Sequence, residues 1–247
     1  MKLSELKIDS YGIILLNDIH DLSKREIEID NRNNGKSSTF YRVENNNDYI
    51  IKIPNETLDD NDRRLYMQML REFSKRQNDI LFTDLPVGAY CEIGRFKGMI
   101  IRYYKTGITL NDIDSLEALM KYYLHTKDTI HNLFLLVFDI IDAAYELYMN
   151  KIKYFDIHVE NIIIWGNKPK FIDFDPYRIT FGKDISKDDL RDILNRCLRL
   201  LKDLLERYKL YNNDMNSLFR PLSHSINDID GAKNHIKTIE ERVTLNR

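Results

Sequence analysis

A chain of 247 residues is long enough to bury a sizeable core, as one large domain or two small ones. With 43% hydrophobic and 31% charged residues it has the composition of a globular protein rather than a disordered one. A formal net charge of −2, with lysine and arginine dispersed, leaves no footprint for nucleic acid or an anionic membrane surface.

The first 16 residues contain Glu5, Lys7 and Asp9 and have no unbroken apolar core, so no secretory signal is expected. Tyr11 to Leu16 reads as a short apolar strand, and Ile27-Glu28-Ile29-Asp30 alternates as a half-buried strand does. A turn-rich polar loop, Asn31 to Ser38, follows. Thr39 to Val43 and Tyr49 to Ile53 then read as strands paired across the turn Glu44 to Asp48. Lys52 interrupts the second strand between Ile51 and Ile53, so a cation must leave an apolar surface there.

Between Asp62 and Gln77, Leu65, Met69, Leu70 and Phe73 share one helical face, with Glu72 the acid of the central and last turns. Ala89 to Ile93 reads as a strand between turns at Leu85–Gly88 and Gly94–Gly98. Met99 to Tyr104 is a buried strand leading to a polar linker. His131 to Met149 is the clearest helix, apolar on nearly every face and therefore central. Its longest apolar run, Leu133 to Phe138, stops at Asp139, far short of a membrane span. His125 and His131 have no further ligand type recurring with them and read as surface or packing residues. Ile185 to Tyr211 carries an apolar stripe behind an N-cap at Ser186, with Asp188 and Asp189 favourable in the first turn. A last short helix is expected near Ala232 to Val243.

The chemistry concentrates in Ile152 to Arg178. Asp156 and Asn161 stand five positions apart, and Asp173 and Asp175 flank Phe174. Ile162 to Trp165 and Lys170 to Ile172 read as a hairpin across Gly166-Asn167-Lys168-Pro169, which brings the two polar clusters close together. Carboxylates and an amide oxygen at one spot are hard ligands suited to Mg²⁺ that phosphates also hold.

This order of residues resembles the catalytic core of protein-kinase-like enzymes, whose catalytic loop reads H-R-D-x-x-x-x-N and whose metal loop reads D-F-G. Here the runs are Tyr154-Phe155-Asp156-Ile157-His158-Val159-Glu160-Asn161 and Asp173-Phe174-Asp175. The resemblance implies an α+β, two-lobed fold, with residues 1–104 a β-rich N-lobe and 105–247 a helical C-lobe. It implies an ATP- and Mg²⁺-dependent kinase in which Asp156 takes the acceptor proton and Lys52 neutralises the α/β-phosphates. Asn161, Asp173 and Asp175 would then be the metal ligands, and Glu72 the partner of Lys52. Gly35 would lie in the phosphate-covering loop. Ile101 would stand near the back of the adenine pocket, and backbone groups around Tyr103 would meet the adenine edge.

Departures qualify what is implied. Tyr154 and Phe155 replace His-Arg, Asp175 replaces the Gly of D-F-G, and only the middle of three loop glycines survives, as Gly35. There is no A-P-E, and about ten residues separate Asp175 from the next helix. His158 is similar to the D-x-H-x-x-N of aminoglycoside- and choline-kinase-like enzymes. Protein Ser/Thr is the preferred acceptor, the alternatives being a small-molecule kinase or a pseudokinase acting as a binding module. Cys91 and Cys197, without metal-ligand spacing, read as free thiols of a cytoplasmic protein, although delivery into another cell would look the same.

Overall fold

The computed structural model describes residues 7–10, 13–17, 22–26, 38–43, 47–182, 186–220 and 228–245. The fold is α+β and divides into two units: Met1–Lys105 with Phe174–Pro176, and Thr106–Asp173 with Tyr177–Arg247.

The first unit is built on a seven-stranded mixed sheet. Its strands are β1 (Lys7–Ile8), β2 (Ile14–Asn17), β3 (Leu22–Glu26), β4 (Ser38–Val43), β5 (Tyr49–Pro54), β6 (Gly88–Glu92) and β7 (Arg95–Arg102). They lie in the order β1-β2-β6-β7-β5-β4-β3, with β2 and β6 parallel and the other neighbours antiparallel. The expected strand at Ile27–Asp30 and the loop 31–37, with Gly35, lie outside the described residues.

Ile51, Tyr90 and Ile100 form a fully buried cluster, against which Ile14, Tyr41, Tyr49, Ile53 and Val87 pack. Because side chains alternate along a strand, Lys52 stands on the face opposite Ile51 and Ile53. Its register partners are Phe40 on β4 and Met99 on β7. Gly98 makes the β5–β7 approach possible: a Cβ there would lie 2.6 Å from the Lys52 carbonyl oxygen. The expected turn at Gly94–Gly98 is thus corrected. Reversal occurs at Ile93 and Gly94, both with positive φ (49° and 72°), and Gly98 is a strand residue. Helix α1 (Asp60–Ser74) follows β5, opened by a capping box between Asp59 and Asp62. Its buried residues are Met69, Leu70 and Phe73, and Tyr66 stacks on Phe96 with ring centroids 5.0 Å apart.

The second unit is mostly helical: α2 (Leu116–Tyr122), α3 (Thr129–Met149), α4 (Lys187–Arg207) and α5 (Ile229–Leu245). Leu133, Phe134, Leu136, Val137, Ile140 and Ile141 of α3 are buried, in pairs at helical spacing along one wide face. Leu135, Phe138, Asp139 and Asp142 are only partly covered, so the helix is not enclosed on every side as its composition suggested. Asn132, fully buried, satisfies its side chain with the backbone of His125, Thr126 and Asp128 and so organises the entry to α3. Helix α4 begins at the expected N-cap Ser186, in a capping box with Asp189, and buries the stripe from Leu190 to Leu205.

Two small sheets complete this unit. Strands β10 (Ile162–Trp165) and β11 (Lys168–Phe171) form the expected hairpin, with β8 (Ile108–Thr109) on the other edge of β10. The turn is only Gly166-Asn167, both at positive φ, and Lys168 and Pro169 belong to β11. Strands β9 (Ile152–Tyr154) and β12 (Ile179–Phe181) pair antiparallel. No helix among the described residues is long and apolar enough to cross a membrane.

Candidate active site

The segment after α3 turns at Lys151 (φ 63°) into β9, and the polar loop from Phe155 to Asn161 leads on to β10. A single 3₁₀ turn, Val159–Asn161, closes that loop, with the Asn161 N–H donating to the His158 carbonyl at 3.0 Å. Asn161 is buried at 5% exposure, and its amide donates to Asp156 twice: to Oδ2 at 2.9 Å and to the carbonyl at 3.2 Å. The five-residue spacing is therefore a closed ring of hydrogen bonds, which fixes the Asp156 carboxylate while leaving the Asn161 amide oxygen for a further partner.

The hairpin then returns the chain to this spot. The Ile172 N–H donates to the Asn161 carbonyl at 2.9 Å, which places Asp173 beside the Asp156–Asn161 pair. Asp173 has φ 63°, a left-handed conformation that Asp tolerates better than most residues, and it is exposed. Tyr154, 1% exposed, ties both halves: its hydroxyl donates to the Ile172 carbonyl at 3.0 Å. Burial, then the Asp156 and Asp173 charges, push its phenol far above the ordinary value. It stays a neutral donor at any working pH. His158 Nε2 lies 3.5 Å from Asp156 Oδ1.

Sequence reasoning missed the support of this loop from α4. Arg196 Nη1 donates to the Phe155 carbonyl at 2.5 Å, and its guanidinium lies 5.3 Å from the Phe155 ring centroid. A cation thus reaches the loop from another element of the second unit. Nothing local in the sequence signals a contact spanning 41 positions. Lys153 and Asp189 likewise pair at 2.7 Å, joining β9 to the start of α4.

The other expected residues lie in the first unit. Lys52 is half-buried on β5, and Ile101 and Tyr103 lie at and just beyond the end of β7. Tyr103 donates its N–H to the Asp48 carbonyl at 2.8 Å, so that amide is already engaged within the first unit. Glu72 requires a correction. Its two carboxylate oxygens are taken by Lys75 Nζ at 2.5 Å and Arg76 Nη1 at 2.6 Å on its own helix. The pairing with Lys52 that the resemblance implies is not the one this structure forms. Burial alone would raise its carboxyl, but those two cations hold it below the ordinary value. Phe174 packs edge-to-face on Phe73 of α1 at 5.3 Å, and Asp175 follows it.

Among the described residues no three His, Cys, Asp or Glu side chains gather as a dedicated metal cage. Mg²⁺ does not ask for one: it takes one or two carboxylates and completes its shell with water and phosphate oxygens. The Asp173 carboxylate and the Asn161 amide oxygen fit that demand. No family model matches the chain, and no curated protein is similar enough to count as a relative.

Proposed function

We propose that the chain is an ATP- and Mg²⁺-dependent phosphotransferase of the protein-kinase-like type, transferring a γ-phosphoryl group to a hydroxyl. The observation that supports this most is the Asn161–Asp156 hydrogen bond at 2.9 Å, with Asp173 brought beside it by the Ile172–Asn161 bond. Further support comes from the first unit, where Lys52 sits on the third of three successive antiparallel strands and a helix follows.

In this reading the acceptor oxygen bonds to the γ-phosphorus while that phosphorus separates from the β–γ bridging oxygen. ADP leaves, and the hydroxyl proton passes to the Asp156 carboxylate. Asn161 holds that carboxylate in place with its amide N–H. Asn161 Oδ1 and Asp173, with Asp175, would hold Mg²⁺, which supplies charge neutralisation across the phosphates when bound. Lys52 balances the α/β charge. Because phosphoryl transfer asks mainly for positioning and electrostatics, these few groups are sufficient.

One observation favours the alternative of a binding module without turnover: Glu72 is closed on Lys75 and Arg76 rather than on Lys52. Transfer of label from radiolabelled ATP separates the two. Active wild type should lose roughly 10²-fold or more of its rate in Asp156→Asn, the proton acceptor being removed, and similarly in Asp173→Asn. Equal labelling in all three proteins overturns the catalytic assignment.

A further inference from the structure

Helices α3 and α5 lie antiparallel and are fastened at two levels. His131 Nδ1 meets Glu240 Oε1 at 2.6 Å, and Lys233 Nζ donates to Asp142 Oδ1 at 2.5 Å. Ala232, Ile236, Ile239 and Val243 of α5 are buried, whereas Lys237, Glu241, Thr244 and Leu245 are exposed on another flank of the helix. That flank forms one wall of a groove of about 790 Å³, which Leu135 and Phe138 of α3 also line. Leu245 is 79% exposed, and Leu135 and Phe138 are only partly covered. The groove is open to solvent, so a small ligand there would leave more of its surface in water than a ligand pocket does. Apolar groups gathered on such an open face suit another protein surface instead.

The charges in the groove say which surface fits. Lys237 and Glu241 both line it, and among the described residues neither forms an ion pair, although they stand four positions apart on one helix. Lysine N-terminal to glutamate is the less favourable order for such a pair. Their complement is a helix that presents a carboxylate opposite Lys237 and an ammonium opposite Glu241, about 6 Å further along. The same helix turned end for end presents both. A two-fold axis at the level of Ile239, midway between the two, sets Lys237 against the Glu241 of a second copy and Glu241 against its Lys237. That axis also carries the Leu245 of the second copy to the level of Lys233, since both stand six residues from Ile239. Helical side chains lean towards the N-terminus, which returns this leucine towards Phe138, between the levels of the Asp142–Lys233 and His131–Glu240 pairs.

We propose that the α3–α5 groove receives a second copy of this chain, in an isologous dimer whose two α5 helices run antiparallel. Each Leu245 seats against the Leu135 and Phe138 of the other copy, and two reciprocal Lys237–Glu241 ion pairs fix the register. The dimer is independent of the phosphotransfer reaction. From Lys237 to Leu245 the contact runs only about 12 Å along each α5. So short a surface supports a weak, concentration-dependent dimer, with a Kd on the order of micromolar or above.

Sedimentation equilibrium of the full chain at low salt, over a range from about 5 to 500 μM, tests this. Wild type should pass from monomer to dimer across that range. Lys237→Glu and Glu241→Lys each set like charges against one another twice, and each should raise the Kd by at least about tenfold. Leu245→Asp, which removes the apolar anchor, should do the same. All three positions are exposed, so an unchanged far-UV spectrum and Tm are expected in each variant. The decisive arm mixes Lys237→Glu with Glu241→Lys. In a mixed dimer every facing pair is again of opposite charge, so association should return to about the wild-type level. A wild type that stays monomeric throughout, a mixture no tighter than its separate components, or a dimer untouched by all three variants overturns the proposal. So does a monomeric wild type that releases a small molecule on denaturation, seen by mass spectrometry, since the groove then has a different occupant.

Discussion

Single residues carry much of the local geometry, and their backbone angles say which are under strain. Ile93 turns the β6–β7 hairpin with φ 49° while its side chain is 96% exposed. A β-branched residue is costly in that region and gains nothing here from burial. Ile93→Asn is therefore expected to stabilise the protein by about 1 kcal/mol, read as a higher urea midpoint with an unchanged slope. A lower midpoint would show that the turn does not need the left-handed conformation. Asp173 uses the same backbone region differently, since its turn follows directly on the Ile172–Asn161 bond. Both cysteines are buried free thiols. Cys197 is fully buried in α4, and burial pushes its pKa up to about 12.

At the level of elements, short-range signals were legible and long-range ones were not. The β10–β11 hairpin could be read because Gly166-Asn167 is a strong turn signal between β-branched residues, and α3 because its apolar positions recur without interruption. The D-x-x-x-x-N spacing likewise reflects a contact that closes within one loop. By contrast, β9 and β12 are three residues each and find one another only in the folded chain. Arg196 occupies a polar position on an amphipathic helix, where sequence gives no sign that it reaches Phe155. Glu72, expected to reach Lys52, instead takes partners by proximity within its helix: Lys75 and Arg76 are three and four residues away.

The joint between β9 and α4 can be tested by pH. Burial alone would raise the Asp189 carboxyl, but hydrogen bonds from Lys153 and Ser186 hold it below the ordinary value of 3.8. A carboxyl depressed in the folded state contributes stability above its unfolded pKa and loses it as pH falls through the folded pKa. Asp189→Asn should cost about 1–2 kcal/mol near neutral pH, because Lys153 loses its partner and the capping box its charge. That difference should shrink as the pH is lowered below 3.8. A difference that stays constant down to that range and beyond would show that the carboxylate charge contributes nothing.

For the molecule as a whole, the proposed function requires that Lys52 of the first unit and Asp173 of the second both affect the binding of one nucleotide. Calorimetric titration of ATP, with and without Mg²⁺, into wild type, Lys52→Met and Asp173→Asn tests that assignment most directly. Wild type should show a single Mg²⁺-dependent site, and each variant should bind more weakly by about tenfold or more, as the loss of a charge held against phosphate or metal requires. Equal affinity in all three proteins, or no Mg²⁺-dependent binding to wild type, would contradict it.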